Sequence, residues 1–258
     1  MADGVEWPRR LGFFAAATSL VAAFAASAAP IPLYGLYRAS AGLAYGDLSL
    51  TAVAYFAGAV TALLVFGRLS NHLGRRPVVL LSLGFTAVAS LILLDVSSAT
   101  PLVVGRVLLG LACGLASSAT AAFVVNNAPA NPPWLAAAVS SSAPMVGLTL
   151  GALGSGALAE FGTAPRTLPY LFVIAALLAS ACLVVASPET GSLRPGVLAS
   201  LRPTIGLPRA SRRLFPVASY TFVATWAFGG FYQAFGPSIA SDQLGSTNAL
   251  ISAAVFSS

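Results

Sequence analysis

Along most of this chain charge disappears for some twenty residues at a time, and each such stretch is closed by a short polar turn. Leu48–Phe66 and Val78–Leu94 contain no charged residue, and further runs of similar length read the same way apart from Arg106. A helix needs about 20 apolar residues to cross a bilayer. The pattern predicts helices at about 11–32, 48–66, 77–95, 101–125, 134–159, 168–187 and 214–240. An eighth apolar run begins near Asn248 and is cut off at Ser258. The expectation is an all-α polytopic membrane protein whose sequence reads as C-terminally truncated.

Composition agrees. The chain is 57% hydrophobic and 8% charged, with a mean hydropathy of +0.87, far from the balance of a soluble domain. Its net charge of +6 and pI near 9.9 do not indicate nucleic-acid binding, because the basic residues sit in short turns and form no continuous basic face. All 13 basic residues are arginine, and nothing in the pattern explains that. Cys113 and Cys182 lie inside apolar runs, with neither a metal-ligand spacing nor a disulfide framework. There is no nucleophilic-serine motif, phosphate loop or cofactor motif. The lone histidine, His72, has no neighbouring carboxylate. These observations argue against an enzyme and predict no catalytic residue, cofactor or metal.

The arginines also orient the chain. The N-terminal tail and alternate turns hold Arg9, Arg10, Arg68, Arg75, Arg76, Arg194, Arg202, Arg209, Arg212 and Arg213, whereas the opposite turns hold only Arg38 and Arg166. By the positive-inside rule the N-terminus is cytoplasmic, and the expected location is the cell membrane. A rival reading makes Arg9-Arg10, the apolar stretch from Leu11 and Ala26-Ser27-Ala28 a cleaved secretory signal. The proline- and arginine-rich stretch 188–213 reads as a cytoplasmic linker with a short helix around Val197–Arg202. It separates six spans at 1–187 from the start of a second bundle at 214–258.

The turn between the second and third runs is the most specific motif. Gly67-Arg68-Leu69-Ser70-Asn71-His72-Leu73-Gly74-Arg75-Arg76-Pro77 is basic and punctuated by glycine, and Pro77 opens the next helix. It resembles the major facilitator superfamily signature G-x-L-[AS]-D-R-x-G-R-[RK]. Gly67, Leu69, Ser70, Gly74, Arg75 and Arg76 match; Asn71 stands at the acid of the pattern and His72 at the following arginine. The resemblance implies two six-helix halves, here a first half plus helix 7 and part of helix 8. It also implies a secondary transporter of a small molecule working by alternating access, with this turn steadying one conformation.

Other segments extend the resemblance. Arg106, Gly110 and Gly114 match the family's helix-4 pattern R-x-x-x-G-x-x-x-G, which implies a coupling role for Arg106. Snorkelling toward the outer interface is the alternative. Gly110 and Gly114 on helix 4, and Gly147, Gly151 and Gly154 on helix 5, form small faces suited to close helix packing. The helix-5 stretch is similar to the signature of superfamily efflux pumps, and its small face would pack against a helix of the other half. Pro188-Glu189-Thr190 resembles a triplet found after helix 6; the plain reading is a helix stop and a solvated loop. Helix 7 is aromatic and interrupted at Gly229-Gly230 and Gly236-Pro237, so Trp226, Tyr232 and Gln233 are the substrate-cavity candidates. Thr18, Ser19 and Ser27 on helix 1 either line a cavity or pack. The task expected is efflux of a small, largely apolar compound, with the bilayer as the other partner. A coupling proton, sodium coupling and facilitated diffusion all stay open. A multi-span receptor or sensor without transport, a polytopic enzyme working on lipids and a non-functional transporter fragment are the alternatives from other classes.

Overall fold

The computed structural model describes residues 3–191, 194–203, 212–244 and 248–257, and every regular element among them is helical. Arg209 of the orienting set lies outside the described residues. Six membrane-length apolar units are present among the described residues: Trp7–Ala41, Tyr45–Phe66, Arg75–Ile92, Ala99–Asn127, Leu135–Phe161 and Leu168–Ala186. The second to sixth depart from the predicted bounds by about three residues at most, because a change from apolar run to polar turn marks where hydrocarbon ends.

The first unit is longer than predicted. Helix α1 (Asp3–Ala28) passes through a 3-10 turn at Ile31–Leu33 into α2 (Tyr34–Ala41). Pro30 and Pro32 bend the helix without ending it, since proline already holds a helical φ and opens a turn at no cost in donors. The stop is Gly42, whose φ of +65° is left-handed. Leu20, Ala23 and Phe24 of α1 are buried in the main apolar core, and α1 packs on the third to sixth units. Cleavage after Ala28 would remove that core wall.

Helix α3 (Tyr45–Thr61) begins where the Asp47 carboxylate accepts the Ala44 N–H at 2.8 Å, an acid at the positive end of a helix. It continues through a π-helical turn at Ala62–Phe66. After the one-turn α4 (Ser70–Leu73) come α5 (Arg75–Ile92) and α6 (Ala99–Leu115). A second π turn, Ala116–Thr120, joins α6 to α7 (Ala121–Asn127). Helices α8 (Leu135–Phe161) and α9 (Leu168–Ala186) complete the six units, and α10 (Val197–Ser200) is the short helix expected in the linker. Next come α11 (Phe215–Leu244) and α12 (Ala249–Ser257). Contrary to the predicted interruptions, α11 is continuous through Gly229-Gly230 and Gly236-Pro237. Without water to replace them, the remaining backbone hydrogen bonds favour a continuous helix even where Pro237 supplies none. Its Tyr, Trp, Gly and Gln residues leave it less apolar than the six units above.

The ends of the bundle segregate. At one end Glu189 meets the start of α5, and Asn126 at the end of α7 reaches Thr190 at 3.4 Å. At the other, Arg166 Nη2 donates to the Val96 carbonyl at 3.0 Å and the Tyr37 and Tyr170 hydroxyls are 2.7 Å apart. The arginine-rich turns therefore share one end, and Arg38 and Arg166 the other.

Candidate transport site

An apolar cavity of about 780 Å³ lies between α1, α3, α6 and α11, with Phe24, Tyr55, Phe56, Cys113, Ser117 and Trp226 in its lining. Trp226 and Phe56 meet edge to face with ring centres 6.3 Å apart, and Phe222 stacks on Trp226 at 5.8 Å. Gly230 makes the arrangement possible, since a Cβ there would stand 2.7 Å from Phe56 Cε2. Of the three helix-7 candidates only Trp226 lines this cavity. Tyr232 instead joins an aromatic group with Phe228 and Phe231, at 4.8 and 5.7 Å. Gln233 is buried with its Oε1 unpaired, about 10 Å farther along the helix than Trp226. Sequence reasoning missed Tyr55, Phe56, Cys113 and Ser117, because within an apolar run no periodicity separates a cavity wall from a packing face. The helix-1 candidates divide. Thr18 lines a separate lateral groove of about 630 Å³, whereas Ser19 bonds its own helix, donating to the Ala15 carbonyl at 2.6 Å.

Arg106 lies behind the cavity wall and is 0% exposed. Its Nη1 donates to the Ser27 carbonyl at 2.7 Å, and its guanidinium lies 4.9 Å from the centre of the Tyr55 ring and 6.0 Å from that of Tyr34. Nε and Nη2 have no protein partner. The reason for this placement starts in helix 1. The α-helical ladder of α1 ends at Ala28, just ahead of Pro30 and Pro32, which have no N–H to extend it, and bare carbonyls at such a break are costly in a bilayer. Two side chains from other spans supply donors at the break: Arg106 to Ser27, and Ser155 to Ala29 at 2.6 Å. The guanidinium is thus enclosed within the bundle.

The turn between the second and third units is held by the residue after helix 6. Gly74 has φ +93°, which aims the first N–H groups of α5 at Glu189. The Glu189 carboxylate accepts from Arg75 N at 2.8 Å and Arg76 N at 3.0 Å, and also from Thr190 N and Gly191 N at 2.9 and 2.7 Å. An acid is thus set against the positive end of a helix from about 114 positions away in sequence. Arg75 Nη1 donates to Ser70 Oγ at 2.5 Å, and Arg76 donates to the Val184 and Val185 carbonyls at the end of α9. Leu69 is buried with Val78, Leu115 and Ala119, Gly67 packs its backbone on Leu63, and Asn71 is exposed. The plain reading of Glu189 as a loop acid is corrected: it caps another span. Its position after an apolar run was visible in the sequence, but the partner was not.

The Major Facilitator Superfamily sequence model matches residues 6–258. The chain belongs to the Major Facilitator Superfamily. No curated protein matches the chain. As a member of this superfamily it is a multi-pass membrane protein and a secondary transporter of small molecules. In this superfamily bundle the small faces have distinct partners. Gly110 and Gly114 lie against Tyr55, Ala59 and Ala62 of the second unit. Gly147 and Gly151 lie against Val21 and Ala25 of α1, which corrects the expectation that this face meets a helix beyond the linker. Among the described residues, Gly156 is the glycine of this stretch that does so, against Ala249 and Ala253 of α12. Gly154 would meet no atom within 4 Å and lines the lateral groove instead.

Proposed function

We propose that the protein exports a small, largely apolar molecule across the cell membrane by alternating access. Its N-terminus is cytoplasmic in this reading. The six spans of 1–187 form one half, 188–213 is the linker, and 214–258 starts the other half. The observation that carries the reading is the cavity of about 780 Å³, walled by aromatic side chains from both sides of the linker and free of charged lining residues. Such a wall binds by apolar contact and ring stacking and provides few oriented polar groups. The efflux-like helix-5 stretch supports the outward direction. Arg106, one layer behind Tyr55, is positioned to change helix 1 and the cavity wall together.

Proteoliposomes carrying the protein test this with a panel of neutral apolar dyes and drugs. Substrates should quench Trp226 saturably, and net movement should run from the arginine-rich side to the opposite side. Trp226→Ala should weaken binding about tenfold, the loss of one stacked aromatic contact. Movement in the reverse direction would overturn export. Absence of saturable quenching by any compound would overturn the cavity as the site.

A further inference from the structure

We propose that a polar cavity of about 350 Å³ at the arginine-rich end binds a phosphate-type oxyanion, free in solution or carried on a lipid headgroup. Ser70, Asn71, Arg75, Asn126, Thr190 and Arg194 line it. They come from three segments: the turn between the second and third units, the end of α7 and the stretch after α9. Two of these side chains are cationic and none is acidic. Glu189 is the one acid in the three segments, and its carboxylate is committed to four backbone N–H groups.

The hydrogen-bond inventory is unbalanced toward donors. Arg75 uses Nη1 on Ser70, while its Nε is buried without a protein partner. Asn126 donates to the Thr190 oxygen at 3.4 Å, which leaves the threonine hydrogen to donate. The Arg194 and Asn71 side chains stand exposed at the rim. A cavity with surplus donors and two guanidinium forks suits a ligand that only accepts, and phosphate oxygens match the forks in geometry and charge. The site lies at the ends of the membrane-length helices, the part of a spanning bundle that meets the headgroup region. An oxyanion there would join the turn to the ends of the fourth and sixth units.

The test uses the purified protein in phosphatidylcholine nanodiscs, with inorganic phosphate titrated at pH 7 and chloride holding ionic strength constant. Binding to the folded state raises Tm as the logarithm of ligand concentration, so a saturable affinity and a rise of several degrees are expected. Arg194→Gln should weaken the apparent affinity about tenfold while leaving the phosphate-free Tm unchanged, and Arg194→Lys should retain part of it. Asn126→Leu supplies an independent variant, because Arg75→Gln also disturbs the turn. Phosphatidylglycerol added to the nanodiscs separates the sources. If it raises the Tm of the unmodified protein but not of Arg194→Gln, and abolishes the response to free phosphate, the headgroup is the ligand; an unchanged phosphate curve makes free phosphate the ligand. No saturable stabilisation in either membrane, or equal stabilisation of the Arg194→Gln variant, overturns the proposal.

Discussion

Two side chains show how a broken or ended helix recruits donors and acceptors from elsewhere. Arg106 supplies a donor at the break of helix 1, and Glu189 accepts where α5 begins. Arg106→Ala removes a buried charge that meets no acid among the described residues, which is favourable, and leaves the Ser27 carbonyl unpaired, which costs about 1–3 kcal/mol. The charge term is the larger, so membrane insertion and detergent Tm should be equal or improved. Transport should fall at least tenfold if the bridge to helix 1 is used in the cycle; full transport with unchanged Tm would assign Arg106 to packing alone. Arg106→Lys restores charge and one donor but not the planar contact with Tyr55, and should rescue poorly. Glu189→Gln keeps an acceptor but loses the charge that faces the helix end. A loss of about 1 kcal/mol is expected, the usual size of a helix cap, read as a Tm lowered by a few degrees. An unchanged Tm in low salt would show that solvent already satisfies those N–H groups.

Elements meet here through glycine. Backbones of α6 and α3, and of α8 and α1, approach closely enough that a Cβ on Gly110 or Gly151 would collide with the carbonyl of Tyr55 or Ala25. A carbonyl inside a helix cannot step aside as a side chain can, so Gly110→Val and Gly151→Val should cost at least the 1–3 kcal/mol typical of overpacking. The measurement is the yield of monodisperse protein and its Tm. Gly154→Ala is the control on the same helix. It meets open space and gains helix propensity of about 0.5–1 kcal/mol, so its Tm should hold or rise. A drop for Gly154→Ala as large as for Gly151→Val would mean that helix propensity, not contact between backbones, explains the glycines. The π turns at Ala62–Phe66 and Ala116–Thr120 belong to this scale as well. Nothing in the apolar runs announces them, because a one-residue widening of a helix leaves no mark in hydrophobicity.

For the whole molecule, the orientation rests on ten arginines against two, and labelling checks it. With the exposed Cys182 replaced by serine, a cysteine at Ser98 should react with an impermeant thiol reagent from outside the cell, and one at Pro195 only after permeabilisation. The opposite pattern would invert the topology. The span order, the turns and the segregation of arginines were legible in residues alone, because hydrocarbon imposes a length and a polarity on any helix that crosses it. Leu48–Phe66 and Leu168–Ala186 needed no neighbour to be recognised. Arg106, Trp226 and the glycine faces could be picked out as unusual, but what each touches could not. Ser27 and Arg106 are 79 positions apart, and Arg75 and Glu189 are 114. Inside a bundle that is apolar on every side, hydrophobicity no longer distinguishes one helix face from another. Tertiary packing therefore decided which face of α11 meets Phe56, which carbonyls Arg106 and Ser155 satisfy, and which glycines bring backbones together.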